Sequence, residues 1–77
     1  MMTYPDGTEI HIFDRIRLAG RPGRVVFSID ANQFSDAYPK AEWDYLESGI
    51  MVEIEGLGLI HLTGGTDPDL QLVGRSR

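Results

Sequence analysis

The chain has two histidines, His11 and His61, among twelve carboxylates, which are the raw materials of acid–base or metal chemistry. Their spacing fits no metal-ligand motif, and they fall on different predicted strands. A strand-surface or hydrogen-bonding role is the simpler reading. Cysteine is absent, so there is no thiol nucleophile, disulfide or thiolate metal site. Ser28, Ser35, Ser48 and Ser76 lack the glycine context of a nucleophile elbow. The glycine-rich stretch GLGLIHLTGGTD precedes a strand where a phosphate cradle would precede a helix, so its glycines read as turn residues. The expectation is a protein that is not an enzyme, with no cofactor and no metal.

Two charged groups remain. The basic one is Arg15, Arg17, Arg21 and Arg24, in DRIRLAGRPGRVV. This stretch resembles the strand-loop-strand of a KOW motif, found in barrels of ribosome and transcription proteins. That resemblance implies RNA or a ribosome-associated protein as partner. The acidic group is Asp30, Asp36, Glu42, Asp44, Glu47, Glu53, Glu55, Asp67 and Asp69, interleaved with Phe34, Tyr38, Trp43 and Tyr45. Rings set among charges are what a protein interface uses: charge speeds encounter and buried rings slow release. Solubility alone is the competing account of the acids.

The net charge of −5 is unevenly spread. Residues 1–29 set Asp6, Glu9 and Asp14 against the four arginines, whereas residues 30–69 set nine carboxylates against Lys40 alone. An acidic surface repels phosphate backbones and suits a basic protein partner.

The elements that must position these groups are short strands. YPDGTE is a turn signal. EIHIF and DRIRL alternate, with Asp14 as the bend between them and Ile16 and Leu18 on one face. AGRPGR reads as a hairpin turn. RVVFSID is the strongest strand, with Val25, Phe27 and Ile29 on one face. In YPKAEWDYLESG, Pro39 suits a first helical position, Trp43 and Leu46 share a face, and Gly49 fits just past the end. IMVEIE and GLIHL make a hairpin, and DLQLV a last strand. The expected fold is one domain over residues 1–77, mainly β: a five-stranded SH3-like antiparallel barrel with one short helix between strands 3 and 4. Trp43 and Leu46 would cap an open end of that barrel.

No apolar run is long enough to cross a membrane, and MMTYPDGTE lacks the pattern of a secretory signal, so the expected location is cytoplasmic.

The segments YPDGTEI, GRVVFSID, YPKAEWDYLESGIMVEIE and GLIHL together resemble a family of small bacterial proteins with a YPDGT start, a VVxSID strand and a YPxxEWxYL insertion. These are similar to immunity partners of polymorphic toxin systems, encoded beside Rhs-type or secreted effectors. The resemblance implies a bacterial toxin inhibitor acting by protein–protein interaction, in which an acidic, ring-bearing surface occludes a basic cleft. Its implied positions are Asp30, Tyr38, Pro39, Glu42, Trp43, Tyr45 and Leu46. Leu62 stands where the family pattern has an aromatic after His61. Together with the acidic group, the partner-binding set is Asp30, Asp36, Tyr38, Glu42, Trp43, Asp44, Tyr45 and Glu47. The alternative set, for nucleic acid, is Arg15, Arg17, Arg21 and Arg24. Exposed strand edges would also allow a homodimer.

Overall fold

Alternation of Ile16 and Leu18 with Arg15 and Arg17 builds strand β1 (Asp14–Leu18), one face buried and the other in solvent. Ala19 and Gly20 then take positive φ, 51° and 83°. Two successive left-handed residues make the tight hairpin whose twist suits paired strands. The chain returns at once as β2 (Arg21–Ser28). Arg21 and Pro22 therefore belong to the strand, paired with Leu18 and Arg17, and not to the turn expected there.

The computed structural model describes residues 2–75. It shows one antiparallel sheet completed by β3 (Ile50–Ile54), β4 (Gly58–Leu62) and β5 (Leu70–Arg75), in the order β4-β3-β2-β1-β5. Hydrogen bonding does not close the sheet, so β4 and β5 are its edges. The one helix, α1 (Lys40–Trp43), runs into a 3₁₀ turn at Asp44–Leu46. It lies between β2 and β3 rather than between strands 3 and 4. The reason is that Glu9–Phe13 forms no strand: Glu9 makes only an isolated bridge to Thr3, and Phe13 turns through φ 70°. Pro39 precedes the helix instead of opening it.

A bulge at Val26 decides the packing. Val25 pairs with Val52, but Phe27 pairs with Met51, so Val26 has no partner of its own. An extra residue reverses the facing of everything after it. Val25 consequently points into the main core, with Met2, Tyr4, Ile10, Ile16, Ile50, Val52, Ile54 and Leu70. Phe27 and Ile29 point to the opposite face, with Val26 and Met51. The expected single row of Val25, Phe27 and Ile29 is thus split in two. Residues 34–46 fold back over the second group, laying Phe34, Tyr38, Trp43 and Leu46 on it. Trp43 and Leu46 do share a face, but they cover the outside of the β2–β3 ribbon and do not plug the end of a barrel.

Glycine is needed where this insertion rejoins the sheet. Gly49 is buried at φ 94°, and a Cβ there would collide with the Leu62 carbonyl oxygen. Its own carbonyl accepts the Ile29 N–H at 2.9 Å. Gly49→Ala is expected to lower unfolding free energy by about 2–3 kcal/mol, from the left-handed conformation and the backbone collision together. A urea midpoint unchanged from wild type would contradict this geometry.

Candidate protein-interaction surface

The insertion presents its side chains in two layers. Phe27 is fully buried at the bottom, with ring centroids at 5.6 Å to Phe34, 6.0 Å to Tyr38 and 5.4 Å to Trp43. Above Trp43, Tyr45 stacks at 6.5 Å with an interplanar angle of 23°. Tyr45 is 69% exposed, the highest value among the exposed large apolar residues. Of the four rings proposed as anchors, Phe34, Tyr38 and Trp43 are therefore half-buried supports, and Tyr45 is the one presented to solvent. The Trp43 indole N–H is buried and has no hydrogen-bond partner among the described residues. Such a group costs free energy, which the surrounding aromatic packing must offset.

The same excursion of the chain carries Asp36, Glu42, Asp44 and Glu47, all exposed. Among the described residues none of the four forms an ion pair. Glu47 itself sits at φ 72°, which ends the 3₁₀ turn and sends the chain back toward β3. The acidic patch is thus local: four carboxylates against Lys40, on one short excursion.

The rest of the acidic set lies elsewhere. Asp30 is a structural staple, its Oδ2 accepting the Met2 N–H at 2.8 Å and its Oδ1 the Gly49 N–H at 3.0 Å. Burial raises its pKa, but these hydrogen bonds outweigh burial and hold it below the usual 3.8. A depressed folded value means that Asp30 contributes stability above the ordinary aspartate range and loses it as pH falls through the folded value. Replacing it, as Asp30→Asn, is expected to flatten the acid limb of a urea-midpoint-versus-pH curve; an unaltered limb would refute this role. Asp67 turns its own loop, accepting the Asp69 N–H at 2.9 Å. Glu53 and Glu55 belong to a different neighbourhood.

That neighbourhood is the arginine group. Arg15 pairs across the sheet with Arg24, and Arg24 in turn with Glu53. Directly opposed residues of an antiparallel pair share a face, so these three project together. With Arg17 and Glu55 they line an open groove of about 640 Å³. Arg21 stands apart, opposite Leu18 and beside Gly56.

The histidines have local partners. His61 Nε2 lies 2.8 Å from the Ser48 carbonyl oxygen, which tethers the insertion to β4. His11 Nδ1 lies 3.3 Å from Gln33 Nε2, and Gln33 Oε1 accepts the Ile12 N–H at 2.8 Å. Among the described residues no group of three or more potential ligands could hold a metal. Among the described residues no helix is long and apolar enough to cross a membrane.

Sequence reasoning missed a buried polar network. Asp14, 1% exposed, accepts the Tyr4 hydroxyl proton at 2.6 Å and the His11 N–H at 3.0 Å through Oδ2. Arg75 Nε lies 3.2 Å from its other oxygen. The available signal was the period-two alternation, which puts Asp14 on the face of the buried Ile16, where a carboxylate must be satisfied. Compared with known proteins, the chain matches no family model, no curated protein and no solved structure.

Proposed function

We propose that this protein is a non-enzymatic binding module that neutralises a bacterial toxin by covering a basic cleft. The observation that carries the reading is the exposed Tyr45, backed by Trp43, on a segment whose four exposed carboxylates form no ion pair among the described residues. A solvated aromatic on a rigid aromatic base loses little conformational freedom on docking, and unpaired carboxylates lose no internal partner. Tyr45 would enter the cleft while Asp36, Glu42, Asp44 and Glu47 meet its cationic groups. A toxin acting on nucleic acid or nucleotides would offer such a cleft, since its substrate is an anion. Asp30 has no part in this contact, and Tyr38 and Trp43 act from beneath it.

For the scaffold, we favour an SH3-like barrel. The order β4-β3-β2-β1-β5 is a meander whose last strand returns to β1, and side chains from both edges, Ile60 and Leu72, pack on one core. This supports a sheet rolled around its interior.

The test is co-expression with a growth-arresting partner. Wild type should restore growth; Glu42→Lys with Asp44→Lys, and separately Tyr45→Ala, should abolish rescue at unchanged thermal midpoints. Full rescue by these folded variants would rule the reading out. RNA binding through Arg15, Arg17 and Arg24 is the lesser alternative. Glu53 and Glu55 in the same groove weigh against a phosphate backbone there.

A further inference from the structure

The arginine groove is independent of the insertion and has its own chemistry. Arg15, Arg17 and Arg24 are exposed and, among the described residues, form no ion pair; Arg17 reaches only the Gly20 carbonyl, at 3.4 Å. Even Arg24 and Glu53, opposed across the sheet, do not pair. Beside the groove, Gly74 leaves room for the Arg15 guanidinium, which a Cβ there would meet at 2.8 Å. Val73, 53% exposed, adds an apolar wall.

We infer that this groove binds an extended peptide segment of a protein partner, an acidic side chain entering between Arg15 and Arg24 and a basic one meeting Glu53 and Glu55. Adjacent strands are about 4.8 Å apart, so the basic wall on β1–β2 and the acidic one at β3 lie one to two strand spacings apart. Side chains two residues apart on an extended peptide are separated by about 7 Å, which matches that span. Arginine forks hold a carboxylate through paired hydrogen bonds. A nucleic acid would gain the arginines but meet Glu53 and Glu55 as repulsion, whereas a peptide of both signs satisfies both walls.

The probe is the capped pentapeptide Ala-Glu-Val-Lys-Ala, titrated into ¹⁵N-labelled protein to about 5 mM, the range in which weak millimolar binding is read. The expected result is movement of the Arg15, Gly23, Arg24 and Glu53 amides, reduced at least tenfold in apparent affinity by Arg24→Ala. Gly74→Ala gives a second, milder probe, because it displaces only the flexible Arg15 guanidinium; it should weaken the peptide while leaving the spectrum otherwise folded. Replacing Glu by Gln in the peptide should also abolish the shifts. No movement of these amides overturns the inference. So does tighter binding of a uridine oligonucleotide at the same residues, lost in Arg24→Ala, which would mark the groove as a nucleic-acid site. Movement of β4 or β5 edge amides with protein concentration alone would indicate self-association, and would overturn it if the groove amides stayed still on adding peptide.

Discussion

Phe27→Ala is expected to remove a large part of the folding free energy and to free the insertion from the sheet while the main core stays assembled. Phe27 is fully buried, touches the rings of Phe34, Tyr38 and Trp43, and has Val26 and Met51 as its other companions. Truncating a buried phenylalanine costs about 3–5 kcal/mol, from lost transfer free energy and the cavity left behind. A 77-residue domain has roughly 4–12 kcal/mol in total. The loss is concentrated on the outer face, so the insertion should be released first. In hydrogen exchange, amides of α1 and the 3₁₀ turn should lose protection before those of β1. Uniform loss across all elements would show that the two cores are a single cooperative unit.

Asp14→Ala is the second large effect, at about 3 kcal/mol. It strands the Tyr4 hydroxyl and the His11 N–H, both of which end on one carboxylate oxygen. The Arg75 contact adds less, because that side chain is 43% exposed and screened by solvent. Tyr4 gives the network a pH signature. Burial, then the hydrogen bond to Asp14 and its negative charge, push the phenol well above its usual 10, with Arg75 partly opposing them. A raised folded value leaves stability intact below about pH 10 and erodes it above, where only the unfolded chain ionises, by about 1.4 kcal/mol per pH unit. Tyr4→Phe should be the less stable protein at pH 8 and should shed much of the further alkaline decline. Equal alkaline slopes for the two proteins would refute the assignment.

The strand content was legible because alternation is a local property. Arg15–Ile16–Arg17–Leu18 and Ile50–Met51–Val52–Glu53–Ile54 each declare their faces within five residues. What failed to show was anything set by a partner distant in sequence. The bulge at Val26 depends on the pairing of Val25 with Val52 and of Phe27 with Met51, and no pattern within RVVFSID announces it. Asp30 and Asp14 looked like surface charge and a bend, because their partners, Met2, Gly49, Tyr4 and Arg75, lie up to 61 residues away. Pro22 read as a turn because proline usually punctuates. Here the two residues before Arg21 turn the chain, leaving Pro22 to pair with Arg17. For the candidate surface, composition identified the right segment but not its layering. Which ring of Phe34, Tyr38, Trp43 and Tyr45 remains in solvent follows from Phe27 facing outward, and so again from the bulge.

The reversal at Val26 also separates two kinds of evolutionary constraint. The apolar packing of the insertion on the sheet passes through one small footing, Val26, Phe27 and Met51, on the face away from the main core, with the His61–Ser48 hydrogen bond as a polar tether beside it. Changes in residues 35–48 that preserve this footing leave Ile16, Val52 and Leu70 undisturbed. The solvent-facing residues of the insertion are therefore free to change without disturbing the sheet beneath.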